Sequence, residues 1–155
     1  MDVSIILITY NSQDTISDCL NNINLSILDS KLNCELIIVD ALSKDNTLAL
    51  IKSKSLYQKF ISTDKLNRSS SFNIGVNQAN GKYICRVDSR SLIPKNYIKD
   101  CFYFLEENKK YFNVGGKMLP KNANNFIEVL YTNIISFGNA DFRISNIDKD
   151  VDSVY

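Results

Sequence analysis

The chain contains no histidine among its 155 residues. That absence removes imidazole bases, Ser-His nucleophile pairs and His-ligated zinc from the chemistry available to it. Glycine is scarce, five in all. Neither G-x-G-x-x-G after the first apolar run nor the G-x-x-x-x-G-K-[ST] phosphate loop occurs. Any nucleotide bound here must be held by side chains and a metal rather than by a backbone cradle. A surplus of one charge is lacking too, since 18 Lys and Arg stand against 17 Asp and Glu for a net charge of +1. Nothing in that balance supplies the basic face that nucleic acid demands, so no nucleic-acid partner is expected. No run approaches the ~20 apolar residues that span a bilayer. The segment 3-VSIILI-8 is too short for a signal peptide and follows an acid rather than a base. The four cysteines, Cys19, Cys34, Cys85 and Cys101, are too scattered for a C-x-x-C metal clasp and are expected as small buried hydrophobes in a reducing compartment. A soluble, cytoplasmic chain is the resulting expectation.

What is present alternates between two periods. The segments 3-VSIILIT-9, 35-ELIIVD-40, 58-QKFIS-62 and 82-KYICRVD-88 are short and rich in β-branched or aromatic residues, the pattern of strands buried on both faces. Between them lie helical spacings. Ile16, Leu20 and Ile23 share a face behind a cap offered by Asn11 or Ser12; Ser43 is placed to cap a helix carrying Thr47, Leu48 and Ile51. Phe72, Val76 and Ala79 mark a third helix. Pro94 stands where a fourth would begin, ahead of Tyr97, Cys101, Phe104 and Leu105. Four strand-helix alternations predict an α/β fold with a parallel sheet covered on both faces. Beyond it, 111-YFNVGG-116 reads as a strand, 123-ANNFIEVLYTNIIS-136 has helical spacing, and residues 138–150 read as a polar mobile loop. No repeat or domain boundary interrupts the pattern, and 1–155 is expected as a single domain.

Open α/β sheets bind ligands at the carboxyl ends of their strands. The polar residues fall there: Thr9, Tyr10 and Asn11 after the first strand, Asp40 after the second, Asp88 after the fourth. Each is ordinary alone, because Asp and Asn are also turn and cap formers. Their convergence on one rim is the signal.

The three segments 3-VSIILITYNS-12, 35-ELIIVDALSKDNT-47 and 73-NIGVNQANGKYICRVDS-89, in that order, resemble the start of a family 2 glycosyltransferase of the GT-A fold, whose mostly parallel sheet is Rossmann-like. In that family they correspond to a Thr-Tyr-Asn type turn, an Asp-Asp-Gly-Ser type turn and the Asp-x-Asp metal motif. The stretches 86-RVDSRSLIPKNYI-98, 114-VGGKM-118, 138-GNADFR-143 and 151-VDSVY-155 resemble the succinoglycan-type exopolysaccharide subgroup. The resemblance implies a nucleotide-sugar donor, commonly a UDP-sugar, a divalent cation such as Mg²⁺ or Mn²⁺, and transfer to a hydroxyl of a saccharide or lipid-linked acceptor, with association to a membrane face in a longer protein. It places Thr9, Tyr10 and Asn11 in the nucleoside pocket, Asp40 on the base, Arg68 and Asn73 in the same pocket, and Asp88 on the metal.

Two departures accompany it. Ala41 and Leu42 stand where an acid and a glycine are usual, and the metal motif reads Asp88-Ser89-Arg90, with a base in place of its final acid. Arg90 cannot ligate a cation, but its fork suits phosphate; the bland alternative is a surface Asp88–Arg90 ion pair of little energetic value. The family's catalytic carboxylate is expected beyond Tyr155, in an acceptor-binding segment, so the chain reads as a donor half truncated at its C-terminus. Asp141, Asp148, Asp150 and Asp152 match no motif and read as solvated loop acids; Val151 and Val154 read as apolar residues left exposed without that segment. Two other classes share these residues: a non-catalytic nucleotide-sugar-binding module, and an α/β interaction domain with no small ligand.

Overall fold

The computed structural model describes residues 1–64 and 67–116, together with the backbone of 142–146. The chain divides into two compact units, Met1–Phe102 and Tyr103–Tyr155. The first opens with β1 (Val3–Thr9) and continues through α1 (Ile16–Ser30), β2 (Cys34–Asp40), α2 (Thr47–Lys54), β3 (Lys59–Ser62), α3 (Arg68–Val76) and β4 (Tyr83–Asp88). Helix α4 (Tyr97–Glu107) crosses the unit boundary, and β5 (Tyr111–Gly116) and β6 (Phe142–Asn146) follow.

The four strands of the first unit form a parallel sheet in the order β3-β2-β1-β4. Strand β1 sits inside it, and all seven of its residues are buried, which is why its sequence is mostly β-branched and apolar rather than alternating. Alternate residues feed two cores. Val3, Ile5 and Leu7, with Leu36, Ile38 and Val87, pack against Ile16, Cys19, Leu20 and Ile23 of α1, Ile51 of α2 and Ile98 of α4. Ile6, Ile8, Ile37 and Val39 face the other way, onto Phe72, Ile74 and Val76 of α3. Burying a side chain such as Ile5 or Ile37 completely contributes roughly 1.5–3 kcal/mol, so this two-sided burial dominates the stability of the unit.

Helix α3 comes unusually close to the sheet because residue 75 is glycine. A Cβ there would lie 2.5 Å from Ile6 Cγ2 and 3.2 Å from Val39 Cγ2. At the amino-terminal edge of the sheet, the buried carboxylate of Glu35 accepts from Ser4 Oγ at 2.6 Å and from the Asn80 N–H at 2.7 Å, with Lys59 Nζ 3.8 Å away. Gly81 N–H donates to the same Ser4 hydroxyl, and any side chain at Gly81 would strike the Ser4 backbone nitrogen, 2.3 Å from the Cβ position. Burial pushes the Glu35 carboxyl upward, but hydrogen bonds from Ser4 and Asn80 and the Lys59 ammonium more than offset this, holding it below the usual carboxylate range.

Within the described residues the expected strands and helices are present, with local corrections. Thr15, not Asn11 or Ser12, is the N-cap of α1, and the main-chain carbonyl of Ser12 receives the N–H groups of Thr15 and Ile16. Asn46 rather than Ser43 stands at the N-cap of α2, while the Asp45 carboxylate takes the Thr47 N–H. Pro94 precedes α4 in a turn closed by the Tyr97 N–H on its carbonyl. In the second unit, Phe104 stacks on Tyr111, ring centroids 5.7 Å apart. Part of the loop expected over 138–150 is strand β6, antiparallel to β5, with Gly116 opposite Phe142 and Tyr111 opposite Asn146. Its pairing energy comes from a partner distant in sequence, which local composition does not report. The helix expected over 123–136, the acids Asp141, Asp148, Asp150 and Asp152, and Val151 and Val154 lie outside the described residues. Among the described residues, no helix is long and apolar enough to cross a membrane.

Candidate functional site

The direction of strand addition reverses at β1: β2 and β3 are added on one side of it, and β4 on the other. The turns leaving β1 and β4 therefore lie side by side at the carboxyl ends of the strands, at the switch in strand order where open α/β folds bind their ligands. The residues at this rim are Tyr10 to Ser12 after β1, Ala41 to Lys44 after β2, and Ser89 and Arg90 after β4.

The rim is built by side-chain bonds between loops. Asn11 adopts a left-handed backbone, φ 44°; its N–H donates to Ser43 Oγ at 2.9 Å and its Oδ1 accepts from the Lys44 N–H at 2.8 Å. The Ser12 N–H donates to Thr47 Oγ1 at 2.8 Å, and the Ser12 hydroxyl shares a 2.7 Å hydrogen bond with that of Ser89. The Ser89 N–H is anchored on the Ile8 carbonyl. Cys19 of α1 donates its thiol to the Asp88 carbonyl at 3.8 Å; burial first, then the Asp88 carboxylate, push that thiol up to about 12. It is an inert prop for the end of β4 rather than a nucleophile. All four cysteines are free thiols; Cys19 is buried and the other three are partly so.

The site residues expected from the sequence separate into three groups. Tyr10, 45% exposed, and Asn11 stand open at the rim. Thr9 lies beneath it, 1% exposed, with no partner for its hydroxyl among the described residues. Asp40 pairs in register with Thr9 and is fully buried. Its carboxylate accepts both the Ser43 N–H, at 2.9 Å, and the Ser43 hydroxyl, so it shapes the turn carrying Ala41 to Lys44 instead of facing outward. Leu42 in that turn is left-handed, φ 56°, the conformation the glycine of an Asp-Asp-Gly-Ser turn supplies without strain.

Asp88 pairs in register with Ile8. Strand alternation puts it on the α3 side of the sheet, while Asp40 belongs to the α1 and α2 side. The two acids thus share a rim, about 10 Å apart by strand spacing, but not a face. Arg90 is exposed beyond β4 and Arg68 is exposed at the first turn of α3, whose N-cap Asn67 accepts the Ser69 N–H at 2.8 Å. Asn73 is exposed further along the same helix. The ion-pair partner of Asp88 is Arg86, at 3.2 Å, two residues before it and not two after. Sequence reasoning missed Arg86, Ser12 and Ser89. The signal for Arg86 was a lone cation at an otherwise apolar strand, in phase with Asp88.

Among the described residues, no group of three or more acids, histidines or cysteines gathers to hold a metal ion. Asp88 offers one strand-end carboxylate, 35% exposed. That donor fits a hard cation whose remaining ligands are phosphate oxygens and water, and does not fit a cation held by protein groups alone.

A parallel α/β sheet with a polar rim at the reversal of strand order defines a nucleotide-binding class of fold. Residues 4–152 match the model described as Glycosyl transferase family 2, and the chain belongs to that family. Among curated relatives, the poly(ribitol-phosphate) β-N-acetylglucosaminyltransferase TarS of Staphylococcus aureus is 28% identical over 132 residues, covering 79% of this chain and 23% of the relative. The crystal structure of S. aureus TarS 1–349 in complex with UDP superposes with a TM-score of 0.65 at 26% identity, covering 81% of this chain and 37% of that one. The mannosyltransferase PcManGT of Pyrobaculum calidifontis, in complex with GDP-Man and Mn²⁺, shares the fold at a TM-score of 0.65 and 20% identity, covering 83% of this chain and 38% of that one. These neighbours identify the fold as GT-A. The chain spans between 21% and 26% of the length of the curated relatives it matches.

Proposed function

We propose that this chain forms the donor-binding part of a glycosyltransferase that moves a sugar, with inversion, from a UDP-sugar to a hydroxyl of a polysaccharide or lipid-linked acceptor. The observation that carries this reading is the rim at the β1/β4 switch in strand order, which exposed Tyr10 and Asn11 share with the strand-end carboxylate of Asp88. Family membership and a UDP-bound relative of the same fold support it.

Each residue has a distinct task in that reading. The Tyr10 ring and the Asn11 turn receive the nucleoside, with Arg68 and Asn73 of α3 bordering the pocket. Asp40 and Thr9 act from below: Asp40 fixes the Ala41–Lys44 turn through Ser43, so the wall of the pocket is formed before the ligand arrives. Asp88 is the cation ligand and Arg90 the diphosphate contact, its guanidinium fork matching phosphate oxygens. A bound Mg²⁺ or Mn²⁺ offsets the charge that develops on the departing diphosphate. The attacking hydroxyl needs a base, a role this reading assigns to none of the described residues. The four free thiols suit a reducing, cytoplasmic setting.

Calorimetric titration of UDP with and without Mn²⁺ tests the proposal. Binding that tightens with Mn²⁺ and is lost in Asp88→Asn is the expected result. Absence of heat in both conditions overturns it in favour of an interaction domain. Binding indifferent to both metal and Asp88 would reassign the site to a nucleotide-binding module without metal-assisted transfer.

A further inference from the structure

Arg86 and Asp88 project from the same side of β4, because strand side chains repeat every second residue. Arg86 Nε donates to Asp88 Oδ1 at 3.2 Å. The guanidinium carbon lies 5.5 Å from the centroid of the Phe72 ring on α3, so the cation is held between an aromatic face and a carboxylate. Both charged side chains remain open to water, 41% exposed for Arg86 and 35% for Asp88. The oxygen that Arg86 engages belongs to the carboxylate best placed to meet a metal. Two cations on one carboxylate repel each other unless further negative charge joins them.

We propose that Arg86 is a positioning residue that guards Asp88. While no donor is present, its guanidinium neutralises the carboxylate and keeps a free divalent cation from settling there. An arriving diphosphate brings the negative charge that accommodates both cations: Asp88 passes to the metal, and Arg86 moves to the phosphate oxygens. Phe72 limits how far the released guanidinium can swing, keeping it at the rim. This inference rests on the reading of Asp88 as the cation ligand given above. It adds a reason for cation and diphosphate to bind cooperatively instead of one after the other.

The test titrates Mn²⁺ alone into the 155-residue chain and follows free Mn²⁺ by paramagnetic resonance. Arg86→Gln and Arg86→Met should each tighten Mn²⁺ binding about fivefold, the equivalent of about 1 kcal/mol for a solvent-exposed ion pair. Ile84→Gln, an exposed position on the same side of β4, should leave it unchanged. Adding Asp88→Asn to Arg86→Gln should abolish the gain. Unchanged or weaker Mn²⁺ binding in both Arg86 variants, no Mn²⁺ binding in any variant, or a gain that survives Asp88→Asn overturns the guard. A parallel UDP titration separates the two ideas. Failure of the wild-type chain to bind UDP removes the proposed function but leaves the Mn²⁺ comparison readable, whereas UDP binding with no Arg86 effect on Mn²⁺ removes only the guard.

Discussion

The hydroxyl oxygens of Ser12 and Ser89 lie 2.7 Å apart, tying the turn after β1 to the turn after β4. Ser12 Oγ donates onward to the Tyr10 carbonyl at 3.1 Å, so Ser89 supplies the proton between them. Both residues are buried, and removing either hydroxyl leaves the other short of a partner. Ser12→Ala and Ser89→Ala should each lower stability by about 1 kcal/mol, with the double variant costing less than the sum by about 0.5–1 kcal/mol. Urea denaturation of the four chains measures this, and strictly additive losses would show that the pair is not coupled.

Asp40 invites a sharper contrast. Asp40→Ala leaves the half-buried N–H and hydroxyl of Ser43 without their acceptor and should cost about 1–3 kcal/mol. Asp40→Asn keeps one acceptor oxygen for the Ser43 N–H and should cost less. If Asp40 instead served mainly as a ligand contact, both variants would melt like the parent and differ only in UDP affinity.

Leu42 carries a cost of its own. A leucine held at φ 56° sits in a region that disfavours side chains by roughly 1–2 kcal/mol, and its exposure of 51% limits what packing can return. Leu42→Gly relieves that strain but gives the unfolded chain more freedom, which takes back about 0.4–1 kcal/mol. The net expectation is a gain of about 0.5–1 kcal/mol, visible as a raised melting temperature; a lowered one would mean that the Leu42 side chain packs more productively than its exposure implies.

Glu35 makes stability depend on acid. Its folded-state carboxyl lies below the ordinary range, so the unfolded chain, with a glutamate pKa of about 4.3, takes up its proton first as pH falls. The stabilisation is complete above that value and disappears as pH drops through the lower folded one. Glu35→Gln should therefore be destabilising at neutral pH, and the gap between the two chains should narrow below about pH 4. Denaturation midpoints at neutral and acid pH decide it, since a constant gap would disconnect the ionised carboxylate from the effect.

Gly75→Ala places a methyl group 2.5 Å from Ile6 Cγ2, inside a packed core. Helix α3 or Ile6 must shift, and overpacking of this kind costs about 1–3 kcal/mol. The greater helix propensity of alanine, worth about 1 kcal/mol, opposes it, so thermal unfolding should show a net loss of about 0.5–2 kcal/mol. A stabilised variant would mean that α3 stands further from the sheet than described here.

The sheet was legible because its strands are nearly continuous apolar runs, and 3-VSIILIT-9 has no other plausible home than between two layers of helix. The turns were harder to read. Asn11 and Ser43 look like independent helix caps, yet they bond to each other across 32 residues of chain, and no local pattern records such a partnership. The same holds for β6, whose Phe142 and Ile144 alternate too briefly to announce a strand before β5 is known to lie opposite. At the site, an acid ending a strand can serve a ligand or its own turn, and only burial showed that Asp40 does the latter. The bland alternative for Asp88, an ion pair, has Arg86 rather than Arg90 as its partner, and the two-residue repeat of a strand places Arg86 on the same face.

The knot of Ser4, Glu35, Asn80 and Gly81 lies at the opposite end of β4 from Asp88, yet it determines where Asp88 can be. With Gly81 seated against the backbone of Ser4, the strand starts from a fixed zero. A slip of one residue would carry the rim acid about 3.3 Å along the sheet and turn it toward α1. Accuracy at the carboxyl end of β4 is thus set seven residues away, at Gly81, by groups on the opposite edge of the sheet.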